Sequence, residues 1–388
     1  MRSFTYYNPV KVYFGKGAVW EISGELEKYG NRILLTYGSG SIKRNGIYEQ
    51  IHSVLQKCGK SVFELSGIMA NPRTCKVFEG VDICRREHID FILAVGGGSV
   101  IDCSKAIATV ACMEEATDFW RRLFVNKEAT NQALPLGCIL TIPATGSEMN
   151  MDCVITNWEE QLKYSYASVH QYPKFSVIDP EYTYTLSKKQ MVYGAVDILS
   201  HLFEIYFSKP DESNVSDDLA EALMRNVIRN LNAALLDPMN EVARSNLCWA
   251  ASMALNGSVQ AGKEEDWMAH KIEHAMSAFY DIAHGAGLAV CHPVYLNYIC
   301  GRAPEKFARF AVRVMECEAA GKTTEELARE GIARLRAYFK SCGAPTTLSE
   351  VGIPAAVVEK IADKVLLIPS SYMTLNREDV KKILMDCK

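Results

Sequence analysis

A change of rhythm half-way along the chain limits what its 388 residues can fold into. Up to Pro180, short β-rich runs alternate with amphipathic helical patterns. Beyond it, apolar residues recur only at helical spacing. Arg32–Tyr37, Val62–Leu65, Phe91–Val95, Leu136–Ile142 and Phe175–Ile178 read as strands, with helices predicted over Ile47–Cys58 and Thr74–Glu87. Strands separated by helices make βαβ units, and those build a parallel sheet. Asp179-Pro180 closes the last run, because proline pushes the residue before it out of helical geometry. From there Met191–Phe207, Asp217–Ala234, Glu241–Val259, Trp267–Tyr280, Pro304–Glu318 and Thr324–Lys340 predict helices. We therefore expect an α/β domain over residues 1–185 and an all-α domain over residues 186–388. No Pro/Gly/Ser-rich linker separates them, so a fixed interface and a site in the cleft between them are expected.

Charge and composition exclude several kinds of partner. A formal net charge of -4 leaves no basic field to gather the phosphates of a nucleic acid. No segment approaches the ~18 apolar residues that span a bilayer, and the N-terminal stretch has no apolar core of a secretion signal. No membrane partner is expected. The thirteen cysteines are scattered without a C-x-x-C pair and read as reduced. The expected compartment is the cytoplasm.

Phe91–Val95 runs directly into Gly96-Gly97-Gly98-Ser99 and the helical pattern Val100–Ala108. Strand, tight turn and helix N-terminus together suit a pyrophosphate. Residues without Cβ let backbone N–H groups approach it, and the positive end of the helix dipole favours its charge. A plain tight turn would also use such glycines. The loop is not G-x-G-x-x-G, since Ile101 stands where the last glycine would be. A second loop, Tyr37-Gly-Ser-Gly-Ser-Ile-Lys43, contains no Asp or Glu. A carboxylate there would bind the ribose 2′-hydroxyl and repel a 2′-phosphate, so its absence favours NADP(H) over NAD(H).

Of the eight histidines, four lie in the helical half between residues 201 and 284: His201, His270, His274 and His284. Asp197 and His201 stand four residues apart and project from one helix face, and His270 and His274 repeat the spacing. His284 precedes Gly285-Ala286-Gly287, where small residues would let chain and cation approach closely. Imidazole nitrogens and a carboxylate oxygen suit one divalent metal, Fe2+ or Zn2+. His270-Lys-Ile-Glu-His274 also matches the H-x-x-E-H pattern of inverted zinc peptidases, with the glutamate as general base. That reading leaves Asp197, His201 and the glycine loop unexplained. Trp158, Phe203, Trp249 and Trp267 are candidates for an apolar wall around the substrate.

Taken together, Gly96–Ser99 with Asp102, Thr141-Ile-Pro-Ala-Thr-Gly-Ser-Glu148, Asp197-x-x-x-His201, and His270 with His274 and His284 resemble the iron-containing alcohol dehydrogenases. Tyr37–Lys43, Pro143–Asn150 and Pro173–Pro180 resemble the butanol dehydrogenase and broad-range aldehyde reductase branch, and the likeness spans essentially the whole chain. It implies a dehydroquinate synthase-like fold with an N-terminal dinucleotide-binding domain and a helical metal-binding domain. It also implies hydride exchange between NAD(P)H and a small aldehyde or primary alcohol. By position, the metal ligands fall on Asp197, His201, His270 and His284, and the further histidine, His274, is a candidate to handle protons. Cofactor contacts fall on Gly38, Ser39, Ser41, Asn71, Gly97, Gly98, Ser99, Thr141, Thr145, Ser147, Asn150 and Lys163, with Asp102 counted beside the loop. Members that strongly prefer NAD resemble one another in an aspartate where this chain has Gly38, yet some butanol dehydrogenases lacking it use NADH. A homodimer is expected, as for most soluble oligomers. The alternative from another class is a dehydroquinate synthase-like lyase, which would need more basic residues to hold its phosphorylated substrate.

Overall fold

The computed structural model describes residues 1–212, 214–369 and 372–388. Its backbone contacts form two compact units, Tyr7–Leu186 and Ser187–Lys388 with Met1–Tyr6.

The first unit carries eight strands: β1 (Lys11–Phe14), β2 (Arg32–Tyr37), β3 (Ser61–Leu65), β4 (Phe91–Gly97), β5 (Leu136–Ile142), β6 (Asp152–Asn157), β7 (Leu162–Ala167) and β8 (Phe175–Ile178). Six of them form one parallel sheet in the order β1-β8-β5-β4-β2-β3, and β6 with β7 makes an antiparallel hairpin. Its α-helices are α1 (Ser23–Leu26), α2 (Ser41–Arg44), α3 (Ile47–Lys57), α4 (Thr74–Arg86) and α5 (Gly98–Ala111). The runs Ile33–Tyr37 and Phe91–Gly96 are buried throughout, as expected of central parallel strands covered on both faces. Strand order decides where a ligand can sit. The chain leaves β2 toward β3 on one side and leaves β4 toward β5 on the other, so the topology reverses between the neighbours β2 and β4. In open α/β sheets the crevice beyond the strand ends at such a point is the ligand site. The loops that leave there are Gly38–Gly40 and Gly97-Gly98.

Sequence pattern missed β1 and the hairpin. β1 is a four-residue edge strand with no fully buried position, so it shows no hydrophobic alternation. The hairpin turns through Trp158–Gln161, with Gln161 at φ 53, a turn without the usual Asn-Gly or Asp-Gly signal.

The second unit is helical, with no strand among its described residues: α6 (Lys188–Tyr206), α7 (Asn214–Leu236), α8 (Glu241–Leu255), α9 (Met268–Tyr280), α10 (His284–Ile299), α11 (Pro304–Arg313), α12 (Thr324–Cys342), α13 (Val358–Lys364) and α14 (Arg377–Asp386). α6 starts in a capping box in which Ser187 and Gln190 satisfy each other's backbone N–H groups, and nearly every residue from Met191 onward is buried. It is the central helix, with α7, α8 and α10 packed on it. α8 ends at Leu255 rather than Val259 because Gly257 takes φ 94. α9 begins at Met268, since Trp267 itself is left-handed at φ 66. α11 stops at Arg313, short of the predicted Glu318. α10 escaped the periodicity argument because it is apolar on every side and carries Pro293. No described helix is long and apolar enough to cross a membrane.

Candidate functional site

In the first unit, the glycine loop works by leaving room. Gly97 is the N-cap of α5 and brings no side chain to satisfy the first helical N–H groups, which are therefore available to an anion. A Cβ on Gly98 would collide with the side chain of Thr145, and one on Gly97 would press to 3.0 Å from Ile142. Ser99 follows on the first turn, partly exposed. Thr141 lies near the end of β5, and Thr145 Oγ1 accepts from the Ser147 N–H at 3.2 Å. Gly38, Ser39 and Ser41 follow β2 and are at least partly exposed.

Several predicted contacts turn out to be held by a residue the sequence reading missed. Lys105, on α5 and fully buried, donates to Ser147 Oγ (3.0 Å), Asn150 O (2.9 Å), Asn150 Oδ1 (2.8 Å) and Asp152 O (2.8 Å). One turn back, Asp102 accepts from Ser147 Oγ (2.6 Å) and from the Val154 N–H (2.9 Å). Burial pushes its carboxyl up, against the pull of Lys105 and these hydrogen bonds. Asp102 and Lys105 thus clamp the segment 147–154 onto α5, and Asp102 is a residue that holds the loop in shape. Lys163 Nζ donates to Asn71 Oδ1 at 2.9 Å, both side chains being buried, and Asn71 occupies the left-handed region at φ 51. The only sequence signal for Lys105 was a lysine inside the mostly apolar stretch Val100–Ala111.

Near the loop Gly38–Lys43 stands an acid from another strand. Glu64 on β3 accepts from Tyr37 Oη at 2.5 Å and from Tyr48 Oη, and pairs with Lys43 at 3.4 Å. The loop itself lacks a carboxylate, but its one lysine already has one.

In the second unit, three imidazoles converge on one carboxylate oxygen. Oδ1 of Asp197 lies 3.6 Å from Nε2 of His201, 4.0 Å from Nε2 of His270 and 3.4 Å from Nε2 of His284. Asp197 and His201 come from α6, His270 from α9 and His284 from the first turn of α10. Asp197 is only 2% exposed, and its Oδ1 receives no hydrogen bond. A buried carboxylate oxygen without a donor is costly unless a cation takes that place. Burial also pulls the His201 imidazole down to about 3, which leaves its lone pair available at neutral pH. The donor set therefore fits one divalent cation held by three nitrogens and an oxygen.

The glycines after His284 do something other than line a cation site. A Cβ on Gly285 would run into the backbone of Tyr193, and one on Gly287 would press on Glu273. They let α10 lie against α6 and α9, which brings His284 to Asp197. His274, one turn beyond His270, lies off that convergence, with its ring 5.6 Å from His284 and 6.4 Å from His270.

Two acids stand behind the histidines, Glu204, which the sequence did not single out, and Glu273, which it offered only as a general base. Oε1 of Glu204 accepts from Nδ1 of His270 (2.9 Å) and from its backbone N–H (3.0 Å). Burial pushes Glu204 up to about 8, against these and neighbouring backbone hydrogen bonds. Glu273, fully buried, takes Nδ1 of His284 on Oε2 and Ser277 Oγ on Oε1. With both oxygens engaged, Glu273 is not poised as the general base of a peptidase, so the H-x-x-E-H reading fails. The proposed aromatic wall also dissolves. Phe203 is a core residue packed on Phe207 and Phe310, and Trp158 and Trp249 are more than a third exposed. Trp267 alone of the four stands by the histidines, 5.1 Å from His270 and 6.0 Å from His201.

Comparison with known proteins follows the same division. The family described as iron-containing alcohol dehydrogenase matches residues 9–180, and its C-terminal counterpart, Fe-containing alcohol dehydrogenase family, matches residues 191–387. The chain is 44% identical over 386 residues to the probable NADH-dependent butanol dehydrogenase 1 of Bacillus subtilis, covering 99% of each chain. It is 35% identical to the NADPH-dependent aldehyde reductase YqhD of Escherichia coli, covering 94% of this chain and 93% of that one. Its fold matches the crystal structure of NADH-dependent butanol dehydrogenase A from Thermotoga maritima with a TM-score of 0.94 at 40% identity, over 99% of this chain and 98% of the other.

Proposed function

Because the chain belongs to the iron-containing alcohol dehydrogenase family and is an NAD(P)H-dependent alcohol/aldehyde oxidoreductase, we propose that Asp197, His201, His270 and His284 hold its one divalent cation and that Gly97–Ser99 seat the dinucleotide pyrophosphate. The observation that carries this reading is the convergence of three Nε2 atoms on the undonated Oδ1 of Asp197. A bound cation of this kind polarises an aldehyde oxygen, while the reduced nicotinamide supplies the hydride. The residues of the chain do the holding. Gly97 and Gly98 admit the pyrophosphate to the N-terminus of α5, and Asp102 with Lys105 fixes Ser147 and Asn150 beside it. His274 is assigned the proton that the product oxygen must gain, since an imidazole exchanges protons near neutral pH. The elimination and cyclisation of a dehydroquinate synthase-like lyase find no support beside these relatives.

The finer choice of dinucleotide turns on Gly38–Lys43. That loop has no acid to repel a 2′-phosphate, which favours NADP(H), but Glu64 occupies Lys43, so the phosphate gains little positive charge. We infer that both dinucleotides are accepted and that this engagement of Lys43 tips the balance toward NADH, the cofactor named for the relative at 44% identity. None of the thirteen cysteines is disulfide-bonded, which supports a reducing, cytoplasmic setting. A homodimer is proposed on the general prevalence of two-fold assemblies, and solution scattering tests it.

The test is absorbance at 340 nm with butanal and NADH or NADPH, on protein stripped of metal and reloaded with zinc or ferrous iron. Metal-dependent oxidation is expected. Asp197→Ala should lose the metal and turnover while still binding NADH, and retention of stoichiometric metal by that variant would overturn the ligand assignment.

A further inference from the structure

We propose that Glu204 and Glu273 are positioning residues for the metal centre, each locking one ligand imidazole so that its Nε2 faces Oδ1 of Asp197. The inference rests on the reading that Asp197, His201, His270 and His284 hold the cation. A carboxylate can only accept, and Oε1 of Glu204, which already takes the backbone N–H of His270, accepts whether or not its other oxygen carries a proton, so the nitrogen bonded to either acid carries the proton and the other keeps its lone pair. Glu204 takes Nδ1 of His270 at 2.9 Å, and Glu273 takes Nδ1 of His284. Both histidines are thereby committed to the tautomer that offers Nε2, the atom found 4.0 Å and 3.4 Å from Asp197 Oδ1.

The acids are themselves held. Glu204 lies on α6, seven residues and two turns after Asp197, and its Oε1 also accepts the backbone N–H of His270, which ties the first turn of α9 to α6. Glu273 lies on α9 between His270 and His274, and Ser277 one turn later fixes its second oxygen. So the glutamate of the H-x-x-E-H string reaches across to α10 and orients a ligand. Among the described residues, no carboxylate takes Nδ1 of His201. The three imidazoles are therefore unequal. His270 and His284 are aimed by hydrogen bonds to buried acids, whereas no described acid aims His201.

Removing an acid that orients a metal-bound histidine typically costs about 10–100-fold in metal affinity. The experiment measures zinc affinity by competition with a chromophoric chelator on the full chain, for wild type, Glu204→Gln, Glu273→Gln, Glu273→Ala and Asp197→Asn. Glutamine keeps the shape and one acceptor oxygen, so Glu273→Gln should lose less affinity than Glu273→Ala. Proton NMR of the zinc-loaded protein is the second readout. Two exchange-protected imidazole N–H resonances are expected far downfield in wild type; one of them should move upfield in each of Glu204→Gln and Glu273→Gln, where a neutral amide oxygen replaces the acid, and the His284 resonance should disappear in Glu273→Ala. That pattern is independent of turnover, and it can be read on any variant that still melts cooperatively. Zinc affinity within threefold of wild type in Glu204→Gln, Glu273→Gln and Glu273→Ala, with both resonances unshifted, overturns the proposal. If wild type binds no zinc, or Asp197→Asn binds it as tightly, the ligand reading has failed; loss in Asp197→Asn alone leaves that reading standing and removes only this inference.

Discussion

Lys105→Met removes one ammonium and keeps the length of the side chain, so it isolates what a buried charge does for the nucleotide unit. In the native protein the group is fully buried and donates to four acceptors at 2.8–3.0 Å. A charge-assisted hydrogen bond contributes roughly 1.5–3 kcal/mol, but four such values do not add, because freed acceptors rehydrate when the segment moves. The better guide is the cost of breaking a buried charge network from one side, about 3–5 kcal/mol, since Asp102 would keep its burial and lose its compensating cation. At roughly 2–4 °C per kcal/mol for a unit of this size, the melting temperature should fall by about 6–20 °C. Hydrogen exchange of peptides from α5 and from residues 145–157 reads this unit alone. Protection there should drop by the same free energy, and the NADH Kd should rise as Ser147 and Asn150 lose their anchor. The double variant Asp102→Asn with Lys105→Met should lose at least about 1 kcal/mol less than the sum of the singles, since both residues meet at Ser147. A Lys105→Met protein within 1 kcal/mol of wild type, with additive doubles, would show that the clamp is incidental.

Three further outcomes follow from particular contacts. Gly98→Ala places a methyl group in the side chain of Thr145, an overpacking worth about 1–3 kcal/mol, so NADH binding measured by fluorescence should weaken by roughly tenfold or more while zinc binding is unchanged; an unaltered Kd refutes the role of that loop. Glu64→Gln frees Lys43, and the ratio of kcat/KM for NADPH over NADH should rise about 3–10-fold, a modest factor because the pair is partly solvated; a ratio that stays fixed removes Glu64 from cofactor choice. Glu25 is held down to about 2 from an ordinary 4.5, chiefly by Lys11 and then by Lys28, which donate to its two oxygens at 2.7 Å. A depressed carboxyl stabilises the fold above its unfolded value and loses that contribution as pH falls. The melting-temperature gap between wild type and Glu25→Gln should thus be full at pH 6 and close between about pH 4.5 and 2, and a gap independent of pH would contradict the pairing.

The parallel sheet was legible because β2, β4 and β5 are buried on both faces and stand out as continuous apolar runs. The same logic hid α10, whose apolar residues surround the helix and leave no period to detect, and β1, which as an edge strand has no buried position to mark. Boundaries failed where a single backbone angle decided them: Gly257 at φ 94 and Trp267 at φ 66 set the ends of α8 and α9, and spacing carries no information about such angles. The aromatic wall failed for a related reason. An aromatic residue can be buried in a core, as Phe203 is, or stay partly exposed, as Trp158 and Trp249 do, so four of them along a chain predict a pocket only if something else says that they face one another.

At the proposed metal centre, what could be read and what could not divide along the difference between sequence distance and spatial distance. Asp197 and His201 share a helix face at four residues' spacing, so their convergence is written into one helical turn. Glu204 lies on that same face, yet nothing in α6 distinguishes it from an acid awaiting solvent until α9 delivers the Nδ1 and backbone N–H of His270 to its Oε1. Glu273 was visible only as part of a five-residue string, and the string pointed to the wrong chemistry because it describes α9 alone. The partner that gives Glu273 its meaning, His284, sits eleven residues on and across a helix boundary. It arrives only because Gly285 lets α10 close on the backbone of Tyr193. The glycines after His284 therefore belong to the proposed metal centre through packing. Gly285→Ala should weaken zinc binding although no atom of residue 285 is a ligand, and a zinc affinity equal to wild type in a folded Gly285→Ala protein would refute that link.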